Sequence, residues 1–167
     1  MARRKLNIHK NVKVPLPNGN VSVITYIEHP GAVIIAPLIS PHKVILMKQF
    51  RPTLRKFIYE LPAGTIDPGE NLLSTVKREL IEETGLRATK ITKLGSIYPV
   101  PGYSTEVIHL YKAEGLVQGK AEPEPYEVIK LMTVSKVEIN KLFKQGKIMD
   151  AKTICVFAHL GWLHDSK

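Results

Sequence analysis

The chain has one cysteine, Cys155, and so cannot close an intrachain disulfide or build a metal site from cysteines. That scarcity fits a reducing compartment. Long apolar runs are also missing. Stretches such as residues 31–39 are far shorter than the ~18 residues that a membrane-spanning helix needs. The basic N-terminus is not followed by an apolar signal segment, so a cytoplasmic protein without a membrane span is expected. Disorder is excluded as well. With 44% hydrophobic and 23% charged residues the chain can bury a core, and its 167 residues suit one domain with or without a small appendage.

Acidic residues are outnumbered, leaving a formal net charge of +9. The basic residues are dispersed: Arg3, Arg4, Lys5, Lys10 and Lys13 stand near the start, and Lys130, Lys136, Lys141, Lys144, Lys147 and Lys152 near the end. No zinc finger, recognition helix or interleaving of aromatic and basic residues accompanies them, so nucleic acid is not the expected partner. A field that attracts a small polyanion and a merely solubilising surface both remain open. The six histidines show no zinc spacing, and zinc is not implied. His109, inside a strand pattern, reads as a packed neutral side chain.

Residues 8–28 read as two strands joined at Pro17-Asn18-Gly19, because Asn-Gly is a strong hairpin signal. Two strands enclose no core, so this hairpin must lie on the main domain or on a second subunit. Strands are expected at 32–39, 43–50, 57–61, 91–98, 106–113 and 127–133, with 99–105 and 114–126 as loops. The clearest helix spans about 71–84, with Leu73, Val76 and Leu80 on one face and Gly85 placed to release the chain. Ser135 and Glu138 form a capping box for a second helix, and Asp150 can cap a last one running through Val156, Leu160 and Leu163. This order predicts an α/β (α+β) layer fold, a mixed sheet covered by helices and free of internal repeats. Tyr26, Phe50, Tyr98 and Tyr103 read first as packing residues and second as rings for stacking a base.

Chemistry concentrates in residues 64–86. Glu79 and Glu83 are one helical turn apart and Glu82 is three residues from Glu79, so their carboxylates can converge on shared cations. Hard divalent ions such as Mg²⁺ or Mn²⁺ take oxygen ligands and keep waters that phosphate oxygens can replace. Without a cation, like charges at this spacing repel. Arg78 borders the acidic face and can hold a carboxylate through a two-pronged salt bridge. Glu70 precedes the helix, where the loop can fold it back toward the cluster.

Gly64, five residues, Glu70, seven residues, Arg78-Glu79-Leu80, one residue, Glu82-Glu83, one residue, Gly85-Leu86 resembles the full signature of the Nudix hydrolase family. A chance match is on the order of 10⁻⁶ over the chain. The resemblance implies a Nudix-type sandwich of mixed sheet between helices over residues 31–167, with residues 1–30 an N-terminal antiparallel β-hairpin appendage that dimerises the protein. It implies metal binding by Glu79, Glu82 and Glu83 with Gly64 in the same site, two or three Mg²⁺ (or Mn²⁺) ions, and Arg78 orienting a glutamate. Gln49-Phe50-Arg51, Glu60-Leu61-Pro62-Ala63-Gly64, Pro101-Gly102 and Ile148–Thr153 resemble the ADP-ribose pyrophosphatase subfamily. That implies hydrolysis of ADP-ribose to AMP and ribose 5-phosphate, with another nucleoside diphosphate derivative as the alternative substrate. Glu82, Glu83 and Arg78 are then expected in catalysis, with a general base from the late loop: Glu124 first, Glu127 second. Substrate contacts are expected from Arg51 to the diphosphate, from Glu60, from Glu106 to ribose hydroxyls or a metal, and from the Pro101-Gly102 turn.

Overall fold

Ala32–Ser40 (β3) is the strand around which the domain is built. Its residues from Ala32 to Leu38 are all buried, as the apolar run requires of a strand covered on both faces. The computed structural model describes residues 7–119 and 127–163. β1 (Asn7–Pro15) and β2 (Val21–Glu28) precede β3, and β4 (Lys43–Arg51), β5 (Lys56–Glu60) and β6 (Ala63–Thr65) follow it. Then come α1 (Leu72–Thr84), β7 (Leu86–Ile97), β8 (Ile108–Gln118), β9 (Ile129–Ser135), α2 (Lys136–Lys144) and α3 (Ala151–His159). The main sheet runs β5-β4-β3-β8-β7, with β6 pairing β3 and β9 pairing β4. β3 and β8 are parallel and the other pairs antiparallel, so the sheet is mixed.

Alternation along β3 divides the core. Ile34, Ala36 and Leu38 pack with Ile139, Val156, Phe157 and Trp162 from the α2 and α3 side. Val33 and Ile35 pack with Val76 and Leu80 of α1. Helices therefore cover both faces, and the expected layered α+β architecture is observed. Among the described residues no helix is long and apolar enough to cross a membrane.

Several boundaries differ from expectation. β8 continues to Gln118 and pairs with Leu86–Lys90, where a loop is expected. The extension is mostly exposed and carries no apolar alternation, so backbone pairing alone reveals it. Leu72 packs against the α1 cluster, whereas Leu73 is exposed on the first turn. α3 stops at His159; a turn at Gly161, with φ 66°, brings Trp162 back to stack on Phe157. Tyr98 and Tyr103 are exposed, not packed. Tyr26 stacks on His9, and Phe50 meets Phe57 edge-on.

β1 and β2 form a sheet of their own. It joins the domain through Ile27, whose N–H donates to Tyr103 O at 2.9 Å and whose carbonyl accepts from Thr105 N–H at 3.0 Å. Ile8, Val21, Val23 and Ile24 on the hairpin are exposed.

Candidate active site

Asn71 caps α1 by accepting from Ser74 N–H, and Gly85 ends the helix with φ 71°, a conformation that costs glycine no steric strain. Between these stops the helix turns Glu79 and Glu83 inward toward β6. Glu83 accepts a hydrogen bond from Ala63 N–H at 2.8 Å. Gly64 lies so close to Glu79 that a Cβ built on it would overlap the carboxylate. Any side chain there displaces Glu79, so glycine is required for close approach; its φ is not left-handed.

Arg78 organises the remaining acids. Its Nε and Nη2 donate to the two oxygens of Glu70 at 3.1 and 3.0 Å, and Nη1 donates to Glu79 at 2.6 Å and to Glu82 at 3.1 Å. Nη2 also donates to Thr65 O at 3.1 Å and lies 3.5 Å from Asp67. Glu70 does fold back, and it further accepts from Thr75 Oγ1 at 2.9 Å. So many acceptors make the guanidinium hold its proton more firmly than usual, with Glu70 first among the causes.

Burial pushes the Glu79 carboxyl up to about 7, against the pull of Arg78. Glu83 is raised well above the ordinary carboxyl range by burial, despite Ala63 N–H. Glu127, just before β9, raises both further, which places its charge within electrostatic reach of the pair. Among the described residues no three side chains already form a metal cage, and Arg78 holds oxygens of Glu70, Glu79 and Glu82 instead. The donor set still fits a hard divalent cation. It consists of carboxylate oxygens, and two are buried where ionisation without a cation is unfavourable.

A second charged centre lies beside the first. Arg51, at the end of β4, donates from Nε and Nη2 to Glu60 at 2.7 and 3.0 Å. Glu60 also accepts from Lys152 Nζ at 2.6 Å, and Lys152 meets Asp150 at 2.7 Å. Arg51 lowers the proton affinity of Glu83, so the two centres share a field. Lys152 and Asp150 are not among the expected site residues; the sequence places them only within the Ile148–Thr153 segment, with Asp150 as a helix cap, which it is, accepting from Thr153 N–H at 3.0 Å.

Glu106 lies elsewhere in the contact network, 3.7 Å from His29, on the segment clasped by the hairpin. Pro101 and Gly102 are exposed on the same segment. Glu124 falls outside the described residues.

The NUDIX domain model matches residues 28–154. The chain belongs to the Nudix family. It is 38% identical to an ADP-ribose pyrophosphatase of Bacillus subtilis (strain 168), over 88% of this chain and 80% of that protein. A GDP-mannose pyrophosphatase of Cronobacter sakazakii is 32% identical over 78% of this chain and 72% of its own length. A crystal structure described as an ADP compounds hydrolase superposes with a TM-score of 0.81, covering 98% of this chain and 89% of that one; at 23% identity it shows a shared fold. Nudix hydrolases work with a divalent cation such as Mg²⁺.

Proposed function

We propose that this Nudix hydrolase cleaves ADP-ribose to AMP and ribose 5-phosphate. The observation that carries the reaction class is the buried Glu79–Glu83 pair beside Arg78 and Gly64; the likeness to the Bacillus subtilis ADP-ribose pyrophosphatase favours the substrate. Glu79, Glu82 and Glu83 would hold two or three divalent ions beside the Gly64 backbone. Bound there, the ions supply charge neutralisation on the diphosphate and a more acidic water.

The chain's own residues do the positioning. Arg78 fixes the angles of Glu79 and Glu82, so little reorganisation is needed when charge builds up. The attacking water gives its proton to a carboxylate of the late segment, Glu124 or Glu127, and the charge of Glu127 reaches the Glu79–Glu83 pair. Arg51 sets its planar fork on the diphosphate while Glu60 holds it from behind. Glu106 accepts from ribose hydroxyls beside the Pro101-Gly102 turn.

The GDP-mannose pyrophosphatase relatives favour a nucleotide sugar as the second reading. Product analysis across ADP-ribose, nucleotide sugars, dinucleoside polyphosphates and nucleoside triphosphates, with Mg²⁺ and with Mn²⁺, separates the two. Fastest turnover of ADP-ribose to AMP is expected; preference for a nucleotide sugar would replace the first reading by the second.

The hairpin is the proposed dimer contact of a cytoplasmic homodimer. Its exposed Val21, Val23 and Ile8, and strand edges that among the described residues are bonded to the domain only around Ile27, call for a cover, and a twofold partner supplies one without open-ended assembly. Removing residues 1–28 is expected to yield a monomer in light scattering, and a folded variant that stays dimeric would refute the contact.

A further inference from the structure

Of the buried acids, Glu60 is the least exposed, at 1%. It holds two cations at once. Oε2 accepts from Arg51 Nε at 2.7 Å, while Oε1 accepts from both Arg51 Nη2 at 3.0 Å and Lys152 Nζ at 2.6 Å. Lys152 is held in turn by Asp150, the cap of α3, at 2.7 Å. Thr153 Oγ1 accepts from Leu61 N–H at 2.9 Å, which fastens the start of α3 to the chain just after Glu60. The side chain of Arg51 is 36% exposed and that of Lys152 18%, so Arg51 is the member that reaches outward.

A closed arginine–carboxylate pair cancels its own charge and offers little to an incoming anion. Here the same carboxylate must serve a second cation, and its shorter bond goes to Lys152. The guanidinium is left oriented by two bonds while the carboxylate's charge is shared with Lys152, a suitable state for meeting a diphosphate. We propose that Lys152 is a positioning residue for the substrate diphosphate, acting through Glu60 to keep Arg51 aligned and electropositive. This rests on the reading in which Arg51 binds the diphosphate.

The test is a double-mutant cycle. Lys152→Gln offers Glu60 a neutral, slightly shorter donor in place of the ammonium and still leaves it bonded to Arg51, and Arg51→Ala leaves Glu60 paired with Lys152, so both variants keep a partner on the buried acid. Lys152→Gln is expected to raise KM about tenfold with kcat nearly unchanged, the scale of one charge-assisted hydrogen bond. Lys152→Arg should restore KM. In the Arg51→Ala background, Lys152→Gln should add nothing. An unchanged KM, or an equal rise in both backgrounds, overturns the inference. The Arg51 Nε–H resonance of the ligand-free protein should also shift in Lys152→Gln. Because it needs no substrate, an unmoved resonance overturns the coupling whatever the protein hydrolyses, whereas a shifted resonance without ADP-ribose turnover defeats only the substrate assignment.

Discussion

Arg78 is bonded to three carboxylates and lies 3.5 Å from a fourth, whereas Arg51 shares Glu60 with Lys152, and Lys152 meets Asp150. The first centre has an excess of negative charge that its own cation cannot offset. The second is balanced, two cations against two acids. Proton affinity follows: Glu79 and Glu83 are pushed up by burial. The balanced centre is assembled by folding and turns one partly exposed guanidinium outward, where an anion can meet it. An acidic one is finished by something that arrives, and divalent cations with a diphosphate meet that need.

Removing charge from the acidic centre is the severest test of this contrast. Glu83→Gln keeps the acceptor for Ala63 N–H and discards a charge the cations require. Turnover should fall about 10³-fold, as when a preorganised electrostatic group is lost. Metal-free stability should hold or rise, since burial already disfavours the ionised form of Glu83 that the amide replaces. Near-normal rates in a rate assay under saturating Mg²⁺ would remove Glu83 from the site. Next in size, Glu127→Gln should cut turnover roughly 10²-fold with little change in cation affinity, the range of general-base assistance. A larger loss in Glu124→Gln than in Glu127→Gln would move the base to the earlier residue.

The acidic centre was legible in the sequence because its spacing is local: Arg78 to Glu83 share one helix, and Glu70 needs only a loop to reach them. Glu60 and Lys152 are 92 residues apart and meet only because α3 starts against the end of β5, which no local pattern reveals. β6 has three residues, too few for a periodic signal, yet it supplies the N–H for Glu83 and the close approach at Gly64. The hairpin was visible through Asn18-Gly19, but its clasp on Tyr103 and Thr105 depends on tertiary placement.

Two gentler perturbations sharpen the contrast. Gly64→Ala puts a methyl group where the Glu79 carboxylate lies, so Glu79 must shift. Overpacking of this kind should cost about 1–3 kcal/mol in denaturant unfolding, and the Mg²⁺ concentration for half-maximal rate should rise. Unchanged metal dependence would contradict the role given to Gly64. The smallest expected effect concerns pH. Glu79 is raised from 4.5 to about 7, so over that interval the metal-free folded protein keeps a proton that the unfolded chain has released. Its contribution is fully present below about pH 4.5 and is lost as pH rises through about 7, so metal-free unfolding temperature should fall across that window. The stabilisation brought by Mg²⁺ should grow over the same window, because the ion displaces the proton. A flat metal-free profile would argue against a buried, uncompensated Glu79.

The most direct measurement is the rate of AMP formation from ADP-ribose as Mg²⁺ is titrated into chelator-stripped protein. The acidic centre predicts no turnover without the ion, a saturable rise with it, and ribose 5-phosphate in equal amount to AMP. Turnover that persists in excess chelator, or none at saturating Mg²⁺ and Mn²⁺, would contradict the account.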